Sequence, residues 1–187
     1  MQTLPLDFLQ KRDISNFLKL RSARPGDDLA IGELLVKSFL ETYAEKLPGV
    51  VANEERISEL QNVASRREAG IVRVLEFGYR LIGTYALIHP ENENNEAWTD
   101  STATLRCLAM DREFHSLGLS ELLMSDAIKI AKGWGARGIC LHVQDGAHGV
   151  ARLYEKIGFT RDPSGDKVST GHLVKGYLLH IAERECH

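Results

Sequence analysis

Leu105-Arg106-Cys107-Leu108-Ala109-Met110-Asp111-Arg112-Glu113-Phe114-His115-Ser116-Leu117-Gly118-Leu119-Ser120-Glu121-Leu122-Leu123 runs from an apolar strand through a short polar turn and a glycine into an amphipathic helix. That order gathers the unpaired N–H groups of a helix start, and the positive end of its dipole, at one point. Such a point suits a phosphate. The helix continues over residues 119–134, with Leu119, Leu122, Leu123, Ala127, Ile130, Ala131 and Trp134 on one stripe at i, i+3, i+4 spacing. Gly135 and Gly138 close it.

Outward from this stretch the pattern is regular. Residues 102–110 form the strand that feeds the turn, and residues 139–143, β-branched and apolar, read as a central strand buried on both faces. Val150, Leu153, Tyr154 and Ile157 make a short helix stopped by Gly158. Two last strands begin at Phe159 and span residues 173–181, joined by the loop 162–171. Toward the N-terminus, residues 18–24 alternate with period 2, the mark of a half-buried strand. Pro25-Gly26-Asp27-Asp28 breaks that strand and offers a helix cap. Ile31, Leu34, Leu35 and Phe39 set a helical face over residues 30–40, and a loop passes through Leu47-Pro48-Gly49. A second helix is expected over residues 54–68, ended by Gly70. Residues 71–77 and 81–89 flank Gly78-Tyr79-Arg80 as a hairpin, and residues 90–100 form a polar, acidic loop. Residues 1–17 read as an N-terminal extension with a short helix at 8–14, and residues 18–187 as one domain. This order of elements is a mixed α/β layout around a single sheet.

A length of 187 residues suits one domain with a substantial core. The net charge of −3 and the scattered Lys and Arg give no pull toward nucleic acid or an anionic membrane. Cys107, Cys140 and Cys186 show neither paired spacing nor a metal-ligand pattern. Cys107 and Cys140 sit in apolar strands as free thiols, which fits a reducing cytoplasm. No signal-peptide core and no run of membrane-span length is found, so a cytoplasmic protein without a metal is expected. Neither Gly-x-x-x-x-Gly-Lys-Ser/Thr nor Gly-x-Gly-x-x-Gly occurs, so a P-loop and a dinucleotide fingerprint are both missing.

His115-Ser116-Leu117-Gly118-Leu119-Ser120 resembles the Arg/Gln-x-x-Gly-x-Gly/Ala turn of the GNAT superfamily of acyl-CoA N-acyltransferases. A denser match follows in His148-Gly149-Val150-Ala151-Arg152-Leu153-Tyr154-Glu155-Lys156-Ile157-Gly158-Phe159, similar to that family's Asn-x-x-Ala-x-x-Leu-Tyr-Glu-Lys-x-Gly-Phe. The resemblance covers residues 18–181. It implies a central, mostly antiparallel sheet with two parallel strands splayed apart, flanked by about four helices. His115 replaces the usual Arg or Gln, Ser116 stands where glycine is common, Ser120 takes the last small position and His148 replaces Asn. None of these changes removes a backbone donor, and Gly118 is retained where a side chain would obstruct close approach.

The resemblance implies acetyl-CoA as co-substrate, its diphosphate held by main-chain N–H groups of His115, Ser116, Leu117, Gly118, Leu119 and Ser120, with His148 and Ala151 contributing from the second motif. It implies that Leu108, Ala109 and Met110 offer free backbone to the pantetheine arm, and that an N–H there polarises the thioester carbonyl. It also implies that Tyr154 lies by the sulfur and assists the leaving thiolate. Periodicity alone makes Tyr154 a core residue on the stripe from Val150 to Ile157. Reference pKa values of about 10 for a phenol and about 8.5 for a thiol make full proton transfer uphill, so hydrogen bonding is its expected role.

The acceptor would be a primary amine of a small molecule or a peptide, attacking directly in a ternary complex. Small amine, amino acid, antibiotic, protein N-terminus and lysine all stay open. Glu41, His89, His142 and Asp145 are the candidate bases. His115 is either a solvent-facing residue or one whose imidazolium form tightens phosphate binding at mildly acidic pH. Glu91, Glu93, Glu96 and Asp100 either attract a cationic acceptor or form a solvated loop. The extension either covers the acceptor site or builds a homodimer contact. A non-catalytic acyl-CoA-binding regulatory module and transfer of a longer acyl chain are the alternatives.

Overall fold

A computed structural model of the chain describes residues 14–44, 53–169 and 171–181. Its strands are β1 (Leu18–Ser22), β2 (Gly70–Phe77), β3 (Arg80–Ile88), β4 (Thr102–Met110), β5 (Gly138–Gln144), β6 (Thr160–Arg161), β7 (Lys167–Ser169) and β8 (His172–His180). Its α-helices are α1 (Asp28–Phe39), α2 (Glu54–Gln61), α3 (Val63–Ala69), α4 (Leu119–Gly133) and α5 (His148–Ile157). The strands form one sheet in the order β1-β2-β3-β4-β5-β8-β6, with β7 also paired to β8. Every pairing is antiparallel except that of β4 with β5. The mixed α/β class and the mostly antiparallel sheet therefore stand as the sequence implied.

Alternation along the strands sorts side chains to two faces. Leu75, Ile82, Tyr85 and Leu87 join Leu123, Ala127 and Ala131 of α4 in the larger core. Val72, Val74 and Ala86 meet Ile31, Leu34 and Leu35 of α1, Leu60 of α2 and Val63 of α3 on the other side. Covered on both faces, β3 is buried from Ile82 through Ile88, and the polar side chain of Thr84 there donates to the Arg73 carbonyl at 2.8 Å. Polar ties fix α4 to this sheet: Tyr85 donates to Asp126 Oδ2 at 2.6 Å, and Arg73 Nε donates to the same oxygen at 2.8 Å.

Several elements depart from the pattern read in the sequence. The helix expected over residues 54–68 divides at Asn62, which caps α3 by accepting from the Ser65 N–H at 3.4 Å, so the described residues hold five α-helices where about four were implied. Gly70 ends α3 as its C-cap, as expected, but in an extended conformation (φ −176°) rather than a left-handed one, and it also opens β2. A Cβ on it would lie 2.2 Å from the Leu87 carbonyl oxygen, so close approach of β3 is what requires the glycine. Leu122 is 40% exposed and leaves the α4 stripe, whereas Met124 is fully buried. Helix α1 runs on as a π-helical turn, Leu40–Ala44. The expected helix at residues 8–14 (but for Ile14), the loop at Leu47-Pro48-Gly49 and Cys186 lie outside the described residues.

Candidate active site

The site begins where β4 and β5 part. Their parallel ladder consists of Thr102↔Gly138, Ala103↔Ile139 and Thr104↔Cys140, and goes no further. Strand β5 stays on β8 as far as Gln144↔Val174, while β4 stays on β3 as far as Met110↔Gly83. Each strand is thus held by its outer neighbour, and the sheet opens between them. A register shift opposite Thr84 to Ala86 marks a bulge in β4, with Cys107 at φ +54°. The left-handed residue bends the strand just where pairing with β5 has ended. Leu108, Ala109 and Met110 follow, and among the described residues no strand pairs with them on that side.

A cleft of about 760 Å³ fills this opening between β4, the start of α4 and the length of α5. Leu108, Ala109, Met110, His115, Ser116, Gly118, Leu119, Ser120, His148 and Tyr154 all line it. The structure thus brings together ten of the twelve residues singled out in the sequence. Leu117 and Ala151 instead turn their side chains to the larger core. The turn into α4 is built by backbone: Asp111 accepts from the Glu113 N–H at 3.3 Å, Ser116 adopts φ +65°, and Gly118 is the N-cap at φ +73°. A Cβ at Gly118 would meet no protein atom within 4 Å, so on the protein side the glycine serves the left-handed conformation. No side chain caps this helix, although Glu121 lies in its first turn. The Glu121 carboxylate accepts from its own N–H and pairs with Lys156 Nζ at 3.1 Å, which holds it below its ordinary range. The His115 ring lines the cleft with Nε2 3.0 Å from the Met110 carbonyl oxygen.

Below the turn, Asp111 is 5% exposed and joins Arg80 at 2.5 Å and Lys37 at 3.4 Å. Burial opposes its ionisation, but these cations keep it below the usual carboxylate range. It anchors the base of the turn. Tyr154 is 7% exposed and stands edge-on to Phe159, with ring centroids 5.5 Å apart. Burial pushes its phenol above its ordinary value, and Tyr43 and Cys107 add to the shift. The neutral phenol is therefore a donor throughout the physiological range.

Tyr154 also borders a smaller cavity of about 200 Å³ that opens between Leu105–Cys107 of β4 and Leu141–Gln144 of β5. Among the four candidate bases only His142 lines either cavity. Its Nε2 lies 2.9 Å from the Gly165 carbonyl oxygen, so that nitrogen is the N–H donor and Nδ1 carries the lone pair. Burial, with Lys167 adding, lowers its pKa and leaves it a free base near neutrality. Glu41 faces Lys37 at 3.9 Å, Asp145 pairs with Lys175 at 2.6 Å, and His89 packs on Trp134 with centroids 4.9 Å apart. The acidic loop divides as well. Glu91 and Glu93 are exposed, but Glu96 borders the smaller cavity and pairs with Lys167 at 2.8 Å. Trp98 of the same loop donates to Asp162 at 2.8 Å and packs on His142. Sequence reasoning missed Tyr43 on the π-helical turn and Arg56, Glu59 and Arg106 in the smaller cavity. Nothing local marks them, because they meet through tertiary packing. Among the described residues no helix is long and apolar enough to cross a membrane.

The sequence profile of the Acetyltransferase (GNAT) family matches residues 30–159. Solved structures of similar fold include a GNAT-family acetyltransferase of Staphylococcus aureus Mu50, at 15% identity and TM-score 0.69, covering 87% of this chain and 98% of that one. The putative acetyltransferase yncA of Salmonella typhimurium, solved with acetyl-CoA, has 19% identity and TM-score 0.62 over 91% of this chain and 98% of its own. The paia N-acetyltransferase of Thermoplasma acidophilum, solved with coenzyme A, has 19% identity and TM-score 0.63 over 85% of this chain and 97% of its own. No curated protein matches the chain in sequence. A family match over more than half the length, on a sheet that parts where the family's two motifs converge, makes this chain a member of the GNAT acetyltransferase family.

Proposed function

We propose that this protein binds acetyl-CoA in the larger cleft and transfers its acetyl group to a primary amine by direct attack in a ternary complex. The observation that carries the reading is the parting of β4 from β5 beyond Thr104, beside a helix start with no side-chain cap. The residues fit the group. A cleft of about 760 Å³ is of cofactor size, and its lining joins a free strand edge to a cluster of backbone donors. Bound there, acetyl-CoA supplies an acyl thioester open to attack by a neutral amine.

The chain's own parts divide the work. Main-chain N–H groups over residues 116–120 donate to diphosphate oxygens with the α4 dipole behind them. The edge of Leu108, Ala109 and Met110 offers its main chain to an extended arm, as a sheet edge takes up an added strand. An N–H of that edge stabilises charge on the carbonyl oxygen. Tyr154 gives its hydrogen bond to the departing sulfur. His142, through Nδ1 or one water, accepts the proton of the amine. Calorimetric titration with acetyl-CoA, joined to a loss-of-thioester assay over a panel of amines, tests this. One-to-one binding and turnover with at least one amine are expected. No detectable complex sinks the proposal, and binding without turnover across the panel returns the non-catalytic module.

A further inference from the structure

The smaller cavity carries an unusual charge order. Arg56, Arg106 and Lys167 face Glu59 and Glu96, three cations to two carboxylates. They alternate as a chain. Arg56 lies 2.6 Å from Glu59, Arg106 lies 3.4 Å from Glu59 and 3.6 Å from Glu96, and Lys167 lies 2.8 Å from Glu96. Each carboxylate thus has a nearer partner at the outer end, and among the described residues Arg106 in the middle makes only the long contacts. The surplus positive charge falls on it. Its guanidinium presents five N–H donors in a planar fork, of which one makes a long hydrogen bond to Glu59. His142 adds no positive charge, because burial and Lys167 keep it neutral. The other walls mix apolar Phe39, Tyr43 and Leu141 with polar Asn53, Gln144 and His172, and Tyr154 stands at the passage to the larger cleft.

We infer that this cavity receives the acceptor and that Arg106 binds a carboxylate on it, so the substrate class is a small amine that carries a carboxylate, an amino acid being the simplest. The inference rests on the acetyl-transfer reading of the larger cleft. A planar carboxylate matches the fork of Arg106 in a two-pronged contact and neutralises the surplus charge. A polyamine would add a second cation to a cavity that already holds one in excess. Arg106 immediately precedes the Cys107 bulge, so an acceptor anchored there lies at the point where the sheet opens, between Tyr154 and His142.

The test compares amino acids with their amides, and lysine with cadaverine, as acceptors for the full chain and for Arg106→Gln and Arg106→Lys. The acids are expected to exceed their uncharged or cationic counterparts in kcat/KM by about tenfold or more, through KM. Arg106→Gln should shrink that ratio to about threefold or less, and Arg106→Lys should restore part of it. A binding arm titrates N-acetylated amino acids against their N-acetylated amides calorimetrically and needs no turnover. Amides or cadaverine performing as well as the acids, or an undiminished preference in Arg106→Gln, overturns the inference while leaving acetyl transfer intact. Failure of acetyl-CoA to bind overturns the parent reading, and the N-acetyl pair then still decides the anion site by itself.

Discussion

Replacing Tyr154 by Phe removes one oxygen and little else. The ring is 7% exposed and keeps its edge-on contact with Phe159, so the packing survives. What is lost is a donor at the junction of the two cavities. In the bound thioester the sulfur carries no charge, so the hydrogen bond strengthens only as the thiolate forms. Interactions of that kind act on kcat rather than on binding. A hydrogen bond to a charged partner contributes about 1.5–3 kcal/mol. At about 1.4 kcal/mol per decade, kcat should fall by roughly 10- to 150-fold. Affinity for coenzyme A should change by less than about threefold, since an uncharged thiol gains little from the phenol. The melting temperature should move little. Loss of thioester absorbance gives kcat without a thiol reagent that would also meet Cys107. Calorimetry gives affinity and thermal unfolding gives stability. A kcat within about twofold of wild type would remove Tyr154 from the chemistry. Equal losses in kcat and coenzyme A affinity would make it a binding residue instead.

Three further outcomes follow from the same geometry. Gly70→Ala sets a Cβ 2.2 Å from a strand carbonyl that cannot rotate away, so urea unfolding should show a loss of about 3 kcal/mol. Gly133→Ala, at an open helical position, should instead gain up to about 1 kcal/mol, and equal effects at the two sites would refute the steric account. Glu121→Gln removes a carboxylate from the N-terminal turn of α4, which should tighten coenzyme A binding about 2- to 5-fold and slightly lower thermal stability; weaker binding on calorimetry would show that Glu121 supports the turn rather than opposing phosphate. His142 is lowered from 6.5 by burial first and Lys167 second, and only its neutral form accepts a proton. The pH profile of kcat/KM should therefore rise from acid through a value below 6.5 and be level above it on this group's account. In His142→Gln that acid limb should disappear with a large loss of rate, and its persistence would assign the limb to another group.

Much of this architecture was legible because it is written in local periodicity. The α4 stripe, the mostly apolar run of β3 and the hairpin at Gly78 each follow from spacing and turn chemistry. The turn at Ser116 and Gly118 was legible through backbone needs, and the motif that contains Tyr154 named the residue facing it across the cleft. What escaped the sequence depends on partners distant in the chain. Gly70 reads as a helix stop, which it is, but that the close approach of Leu87 requires the glycine is seen only in the fold. The acidic loop looks solvated until Lys167, Arg106 and Asp162 are seen gripping Glu96 and Trp98. Likewise, nothing around Arg106 in the sequence signals that it will stand between Glu59 and Glu96, at 3.4 and 3.6 Å, each of them held more closely by another cation.

Backbone strain points to the same place independently of any motif. Among the described residues, Ser101, Cys107 and Ser116 are the non-glycine residues at positive φ. A left-handed residue with a side chain costs roughly 1–2 kcal/mol, so a fold keeps one only where surrounding structure demands it. Ser101 ends a polar loop just before β4. Cys107 and Ser116 border the cavities, one bending β4 as it leaves β5 and the other turning the chain into α4. Straightening Cys107 would remove the bulge from β4, and straightening Ser116 would misdirect the amides at the start of α4. The strained positions and the opened sheet are therefore one device. It sets an uncapped helix start and the end of β4 along one cleft that reaches Tyr154, an arrangement suited to a long ligand with a reactive thioester end.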